Sequence, residues 1–363
     1  MILQSYVKER FNKLLNINSI KKRIMQTEKK EWITYLRVIG TFCVVIVHII
    51  SSMLHEFDSS TRINWWTGNI IDGSLRYCLA VFVMLTGALL LPQNIDIGTF
   101  LKKRLKRVII PFIVWSIIYI VYAFFSKDIG DTLLDYVKYF FSRLLTGASY
   151  HLWYIYMLIG LYLFIPILGK WIRNSTEREI IYFLIIWFIS MFTSKMLYFN
   201  QINPIYFTGY IGYLVLGYYL SIKEFKNTKR LKKIALLLFI LGTFITIFGT
   251  YFLSKLSGKF NDILYNHLTP NLLISSIGIF ILIKYSRGIK SSAFSKIISN
   301  IDKYSYGIYL SHILVLNILG QINITAYSIM PAIGIPLTFL CCCIILFLIF
   351  FGLSKTPFGK FIT

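Results

Sequence analysis

Two cationic side chains lie within one apolar stretch near the start of the chain. Arg37 and His48 both belong to the segment Glu31–Ser52, EWITYLRVIGTFCVVIVHIISS, which is typical of a first transmembrane helix. In a helix their spacing corresponds to about three turns and roughly 16 Å, so both face the same side. Ionisable groups inside a membrane span are costly and usually face a polar interior or an aqueous cavity. A snorkelling arginine and a hydrogen-bonded interior histidine are the structural alternatives to a functional pair.

A basic cluster, KKRLKR at 102–107, precedes the third apolar segment and is predicted to lie in a loop, with Pro111 starting the span. One helical turn separates Arg104 from Arg107, and Lys103 from Lys106. On the cytoplasmic side such a cluster anchors the topology, or it binds a phosphorylated donor through charge-assisted hydrogen bonds. The spacing alone favours the anchoring role.

Further candidates lie in later apolar segments. His151 and Trp153 begin the fourth segment, His312 lies about midway through the ninth, and Arg76 lies just inside the second. Their structural alternatives are an interfacial aromatic belt, hydrogen-bonded buried histidines and a snorkelling arginine. The sequence contains no metal-ligand spacing, glycine-rich nucleotide loop or Gly-x-Ser-x-Gly motif, so no metal is expected.

The composition predicts an all-α polytopic membrane protein. The 363 residues are 56% hydrophobic, with a mean hydropathy of +0.67 and a net charge of +23. Because the basic residues lie between apolar runs, their charge indicates loops that contact lipid head groups rather than a surface that binds nucleic acid. All five cysteines fall within apolar segments, so no disulfide framework is predicted. The charged start of the chain does not resemble a cleavable signal peptide.

Ten apolar segments, most of them near the length that a membrane span needs, are predicted to be transmembrane helices. They lie at about 33–53, 73–92, 108–125, 151–171, 179–197, 204–222, 232–254, 268–285, 303–322 and 331–353. With a cytoplasmic N-terminus, 29 of the 38 Lys and Arg residues are cytoplasmic and 7 lie on the other side, so both termini are predicted to be cytoplasmic. Gly87, in the second segment, is predicted to permit close helix packing.

Three regions of the chain follow from this count. Residues 1–30 form a basic cytoplasmic segment, either an interfacial amphipathic helix or a mobile tail. Residues 31–354 form the membrane domain, and residues 355–363 form a cytoplasmic tail. Within the membrane domain, a weaker amphipathic run at 131–145 is predicted to lie at the surface.

These segments, in this order, resemble the acyltransferase-3 family of integral membrane acyltransferases over essentially the whole chain after residue 30. The chain is closest to stand-alone members that acetylate bacterial surface carbohydrates, those of the enterobacterial common antigen type. The matching pieces are Leu36-Arg37 followed by His48, VFVMLTG at 81–87, KKRLKR at 102–107 with Pro111, HLWYIYMLIGLYLFIPIL at 151–168 and SYGIYLSH at 305–312.

The resemblance implies that Arg37 and His48 are required for activity. It also implies that Arg104 and Arg107, with Lys103 beside them, hold an acyl-coenzyme A donor.

One position departs from the family pattern. Many members have an Asp three residues before the first-span Arg, where this chain has Thr34. If that carboxylate orients the Arg or the His, Glu31 or Asp72 is expected to replace it.

We therefore expect a membrane O-acyltransferase of the bacterial plasma membrane that moves acetyl from acetyl-coenzyme A to a hydroxyl of a surface polysaccharide or its lipid-linked precursor. His48 is the expected base, because a neutral imidazole can take a proton from a weak sugar nucleophile. Arg37 is expected to guide the donor or to stabilise the oxyanion. The expected residues around the substrate are Arg76, His151, Trp153 and His312.

Two other classes of protein stay open at this point. A glycan transporter or flippase would have the same topology, with intramembrane cations along a substrate path. A non-catalytic membrane partner in a polysaccharide-synthesis complex would have no need of His48. In each case the expected partners are membrane lipids and carbohydrate, with no nucleic acid, and the oligomeric state is open.

Overall fold

The computed structural model describes residues 31–57, 62–126, 129–196, 209–286, 292–357, 359 and 362. Within these residues the secondary structure is helical and contains no strand. The predicted interfacial segment at 1–30 lies outside the described residues, as does the start of the predicted span at 204–222.

The described residues form twelve α-helices, which we number in chain order. They are α1 Glu31–Ile49, α2 Arg62–Leu75, α3 Cys78–Leu90, α4 Ile97–Ser126, α5 Leu133–Thr146, α6 Trp153–Asn174, α7 Glu177–Met196, α8 Ile211–Ile222, α9 Thr228–Ser257, α10 Pro270–Lys284, α11 Ser292–Gln321 and α12 Pro331–Leu353. Short 3₁₀ helices lie at Ser51–Glu56, Tyr150–Leu152 and Ile263–Tyr265.

Seven stretches among the described residues are long and apolar enough to cross a membrane. Helices α1, α4, α9 and α12 each form one such stretch, and the others are Ile63–Leu90, Leu133–Asn174 and Ile263–Lys284. Helix α8 is apolar but has only 12 residues, and the apolar run of α11 is interrupted by tyrosines, serines and a histidine. The expected all-α membrane fold is therefore confirmed, whereas the count of ten spans and the side on which the termini lie stay predictions.

The basic cluster at 102–107 lies on helix α4, so its placement in a loop was wrong. The helix begins at Ile97, and Pro111 lies inside it rather than at its start. The Asp96 carboxylate accepts a hydrogen bond from the Thr99 amide at 3.0 Å, which caps the new helix start. The hydrogen bond from the Thr99 backbone also holds the pKa of Asp96 below its usual value. Since Lys, Arg and Leu are all good helix formers, the helix continues through the cluster into the apolar run.

Helix α5 lies at the surface, in agreement with the amphipathic pattern of its sequence. Thr132 and Asp135 form a capping box at its start, with the Asp135 amide 3.2 Å from the Thr132 hydroxyl. None of the residues of α5 is buried.

Helix α1 lies at the centre of the bundle. Trp32 contacts Phe280 of α10 edge-on, with ring centroids 5.2 Å apart, and Phe42 contacts Phe339 of α12 at 5.3 Å. Leu36 is fully buried. Because α1 is surrounded on several sides, its polar residues face other helices rather than lipid.

Helices α3 and α8 approach each other closely through two glycines. A Cβ atom on Gly87 would lie 1.9 Å from the carbonyl oxygen of Leu214, and one on Gly217 would lie 2.0 Å from that of Met84. No larger residue fits without moving the backbone, which is the small-residue packing typical of membrane helices. The structural role predicted for Gly87 is confirmed.

Candidate active site

Three histidines from distant parts of the sequence meet inside the bundle. The ring centroid of His312 lies 5.1 Å from that of His48 and 5.0 Å from that of His151, and the other two are 6.2 Å apart. His151 and His312 are buried, whereas His48 is half-buried. The sequence identified each histidine as a candidate, and the structure brings all three together. We refer to them as the histidine cluster.

Hydrogen bonds fix the tautomer of His312. Its Nδ1 atom lies 2.8 Å from the carbonyl oxygen of Tyr309 and 3.2 Å from that of Ile308. Because a carbonyl oxygen can only accept, Nδ1 carries the hydrogen, and in the neutral ring Nε2 has a lone pair. This Nε2 atom is buried and has no hydrogen-bond partner among the described residues. His312 therefore presents an oriented ring with one unused acceptor, which is the arrangement of a general base.

His151 is held at both ring nitrogens. Its Nε2 atom lies 3.3 Å from the carbonyl oxygen of Leu310 and donates to it, so Nδ1 accepts from the Ser149 hydroxyl at 3.0 Å. The backbone carbonyl of His151 accepts a further hydrogen bond from the Tyr309 hydroxyl at 2.5 Å. In its neutral form this ring has no unused acceptor, so it positions its neighbours rather than taking a proton.

His48 is linked to the outside of the cluster by Tyr150. The Nδ1 atom of His48 lies 3.2 Å from the Tyr150 hydroxyl, and the Tyr150 side chain is 64% exposed. The sequence provides no distinct signal for Tyr150, because an aromatic residue at the start of a span is usually part of an interfacial belt.

A basic cavity of about 280 Å³ lies on one side of the histidine cluster. Helices α1, α3, α4, α6 and α11 line it, and its floor consists mainly of leucine and tyrosine side chains. Tyr309 lies at its inner end, with its ring 5.9 Å from the ring of His312. The charged residues of the lining are Arg37, Arg104, Arg107, Asp302 and Lys303.

An aromatic cavity of about 560 Å³ lies on the other side of the cluster. It reaches the histidines through Ser149 and Tyr150, which bond to His151 and His48. Its lining residues are Tyr119, Tyr122, Ala123, Tyr139, Arg143, Thr146, Gly147, Ala148, Ser149, Tyr150, Trp153, Tyr156, Ile313 and Asn317.

The order of residues along α11 shows that the two cavities lie at opposite ends of the cluster. Asp302 and Tyr309 line the basic cavity, His312 follows, and Ile313 and Asn317 line the aromatic cavity. At the rise of an α-helix, Asp302 and Asn317 are about 22 Å apart. Helices α4 and α6 also contribute to both linings.

Arg37 is paired with Asp302 of α11. Its Nη1 atom lies 2.7 Å from both carboxylate oxygens. Thr34 contributes another hydrogen bond to Asp302. The carboxylate beside the first-span arginine is therefore Asp302, and the expectation of Glu31 or Asp72 was wrong.

Arg37 and His48 lie at different places along α1. Arg37 lines the basic cavity together with Arg104 and Arg107, as the proposed donor role requires. It is roughly 16 Å along the helix from His48. This distance is too long for Arg37 to stabilise an oxyanion beside His48, so guidance of the donor is the one expected role that fits.

Two sequence candidates lie away from both cavities. Lys103 is exposed, and Lys303 of α11 lines the basic cavity instead. Arg76 pairs with the buried Asp72 at 3.0 Å and donates to the carbonyl of Tyr265 at 3.3 Å, so it joins the α2–α3 junction to the segment before α10.

Trp153, another candidate from the sequence, lines the aromatic cavity. Its ring stacks on His267 at a centroid distance of 6.3 Å. Within the described part of the chain, no group of three or more His, Cys, Asp or Glu residues is arranged to hold a metal ion.

Comparison with known proteins gives the class of the enzyme. A family model described as an acyltransferase domain matches residues 30–354, a range that includes both cavities and the histidine cluster. No curated protein and no solved structure matches the chain. The family match covers most of the sequence and agrees with the multi-pass helical fold. The chain is a membrane acyltransferase and belongs to the acyltransferase-3 family.

Proposed function

We propose that this enzyme transfers an acetyl group from acetyl-coenzyme A, bound in the basic cavity, to a carbohydrate hydroxyl bound in the aromatic cavity. The observation that supports this proposal is the position of the histidine cluster between two cavities of different chemical character. The lining of the first cavity is rich in cations, the lining of the second is mainly aromatic rings and hydroxyl groups, and the cluster between them consists of imidazoles that can move a proton.

The basic cavity suits coenzyme A. Arg104, Arg107 and Lys303 offer charge to its phosphates, whereas Arg37 already has a carboxylate partner. About 280 Å³ is at the lower limit of small-molecule pockets, so the cavity suits the narrow pantetheine arm, with the nucleotide at its mouth. An arm that extends to Tyr309 would carry the thioester to the histidine cluster.

The aromatic cavity suits a sugar. Aromatic rings pack against the C–H faces of sugar rings, and the hydroxyl groups of tyrosines, with Ser149 and Asn317, offer hydrogen bonds to sugar hydroxyls. Tyr150 belongs both to this cavity and to the hydrogen bond with His48. A sugar hydroxyl beside Tyr150 is therefore at the point where its proton can be removed.

The proposed reaction is a direct transfer. The sugar oxygen attacks the thioester carbon, the C–S bond breaks, and coenzyme A leaves as a thiolate. His48 takes the hydroxyl proton and donates it to the thiolate. The lone pair on Nε2 of His312 is an additional acceptor for this proton. The products are an acetyl ester and free coenzyme A.

The charge distribution supports an orientation in the bacterial plasma membrane. The predicted cytoplasmic side carries most of the Lys and Arg residues, including Arg104 and Arg107. The donor would then bind from the cytoplasm, and the acceptor, a surface polysaccharide or its lipid-linked precursor, from the other side. Membrane lipids and the carbohydrate are the proposed partners.

The test is acetyl transfer by purified protein in lipid nanodiscs, combined with mass spectrometry of surface glycans from cells with and without the gene. We expect acetyl esters to disappear when the gene is deleted and to return with the wild-type gene but not with His48→Gln. Unchanged glycan acetylation in the deletion strain, together with no transfer by the purified protein, would contradict the proposal. Movement of glycan without acetyl transfer would indicate a transporter instead.

A further inference from the structure

The aromatic cavity contains a cation that the proposed reaction does not use. We propose that the acceptor is an anionic glycan, whose carboxylate or phosphate oxygens bind Arg143 while a nearby hydroxyl is acetylated. This inference rests on the proposed function, and it specifies the chemical class of the acceptor.

The charge of the cavity is the first argument. Arg143 is exposed and lines the cavity, and no Asp or Glu is present among the described lining residues. Across the described ranges, with their gaps, the structure gives Arg143 no ion pair. Its guanidinium carbon lies 5.2 Å from the centroid of the Tyr139 ring. Arg143 is therefore the one charged side chain that the described lining offers to an acceptor.

The geometry of α5 is the second argument. Tyr139, Arg143 and Thr146 line the cavity, and their spacing of four and three residues places them on one face of the helix. A basic residue in the last turn of a helix also interacts favourably with the helix dipole, which is the alternative role for Arg143. The interaction with the helix dipole does not require Arg143 to face a cavity. Arg143 nevertheless lines one, between Tyr139 and Thr146 along the helix.

The chemistry of the guanidinium is the third argument. Arginine binds carboxylate and phosphate through two parallel hydrogen bonds, which fixes the orientation of the anion as well as its position. The lining also includes Tyr150, the residue bonded to His48. An anion held by Arg143 would restrict which hydroxyl of the acceptor reaches the histidine cluster, so Arg143 is expected to control both affinity and the site of acetylation.

The first experiment identifies the acetylated sugar in the native cells. Surface glycans are compared by mass spectrometry in the deletion strain and in strains complemented with wild-type, Arg143→Gln or Lys138→Gln protein. Lys138 is the matched control, because it lies on the same helix, is exposed and is not among the cavity residues. We expect the lost ester to lie on or beside a unit that carries a carboxylate or phosphate, and only Arg143→Gln to reduce its amount.

The second experiment measures discrimination in vitro. The purified enzyme is given the isolated glycan before and after chemical reduction of its carboxylates, or before and after removal of its phosphates, so the two sources of negative charge are separated. We expect the acetylation KM to rise by about tenfold or more when the relevant anion is removed, as for the loss of a charge-assisted hydrogen bond. Arg143→Gln should no longer discriminate, and Arg143→Lys should keep part of the preference.

The outcomes separate this inference from the proposed function. An ester on a neutral unit with no acidic neighbour, or an Arg143→Gln enzyme that still prefers the anionic glycan, would overturn the inference and leave acyl transfer intact. If no ester is lost on deletion, the proposed function fails and the inference fails with it. Coenzyme A affinity and the melting temperature of Arg143→Gln should match those of Lys138→Gln, which shows that the protein is folded.

Discussion

The buried Nε2 atom of His312 has no hydrogen-bond partner among the described residues, and the His48 ring lies 5.1 Å from the His312 ring between centroids. A buried acceptor without a partner costs on the order of 1–3 kcal/mol. A structural histidine would avoid this cost by pairing both nitrogens, as His151 does. The unpaired nitrogen next to a second imidazole is the observation behind the proposed proton transfer between the sugar hydroxyl and these two rings.

The first prediction concerns these two rings. His48→Gln should abolish acyl transfer, and His312→Gln should lower kcat by about 10²-fold or more, because an amide cannot take a proton. Both variants should keep their affinity for coenzyme A and their melting temperature. Parallel measurement of transfer, donor binding and thermal unfolding checks this. Near-normal acyl transfer by the His48→Gln variant would show that His48 is not the general base and would leave His312 as the candidate.

The second prediction concerns the basic cavity. Arg104→Ala combined with Arg107→Ala should raise the KM for acetyl-coenzyme A more than it lowers kcat, because Lys303 and other basic residues remain. Lys103→Ala, on the same helix but outside the cavity, is the matched control and should have little effect. Isothermal titration with coenzyme A and steady-state kinetics are the measurements. Equal effects of the double variant and the control would indicate that the whole cluster only anchors the topology and does not bind the donor.

The third prediction concerns the pair of Arg37 and Asp302. Asp302→Asn keeps the size of the side chain but removes its charge, so Arg37 is no longer held by two short hydrogen bonds. If Asp302 acts by positioning Arg37, the double variant with Arg37→Gln should be no less active than Arg37→Gln alone. A double-mutant cycle on kcat/KM measures this. Fully additive losses would indicate that Asp302 has a separate role.

The fourth prediction concerns the contact between α3 and α8. Gly87→Ala should destabilise the protein by about 1–3 kcal/mol, because the added methyl group overlaps the Leu214 carbonyl. Gly160→Ala is the control, since a Cβ there meets nothing within 4 Å and alanine favours the helix. Thermal unfolding in the same detergent compares them. Similar melting temperatures for both variants would show that the two helices can separate freely.

The fifth prediction concerns topology. A cysteine at Ser142 of α5 should be labelled by an impermeant reagent in intact cells, and a cysteine at Lys229 at the start of α9 should not be labelled. Both side chains are exposed, so access is limited by the membrane rather than by burial. Labelling should be repeated after the cells are opened, when both sites must react. The reverse pattern in intact cells would overturn the predicted orientation.

The sequence predicted the elements of this fold better than the contacts between them. Apolar length and the positions of Lys and Arg indicate membrane helices, and helical spacing correctly placed Arg37 and His48 on one side of α1. The meeting of His48 with His312 could not be derived, because a contact between distant helices leaves no periodic signal in either one. The same reason explains why Asp302 was missed as the partner of Arg37.

The choice between Lys103 and the two arginines of α4 shows a second limit. All three residues lie within one short cluster, and their spacing does not distinguish which of them binds a phosphate. Only the position of the neighbouring helices decides which side of α4 faces a cavity, and that position depends on packing far along the chain. Tyr150 was missed for a related reason, since an exposed tyrosine at a membrane boundary is common.

Helix α5 provides part of the aromatic cavity while none of its residues is buried. Substitutions at exposed positions usually change the free energy of unfolding by less than about 0.5 kcal/mol. If the aromatic cavity binds the acceptor as proposed, changes in α5 would therefore alter which acceptor is recognised without weakening the bundle or disturbing the histidine cluster. Selection for a different acceptor could then act on this helix alone, and related enzymes would keep one acyl-transfer chemistry while they modify different substrates.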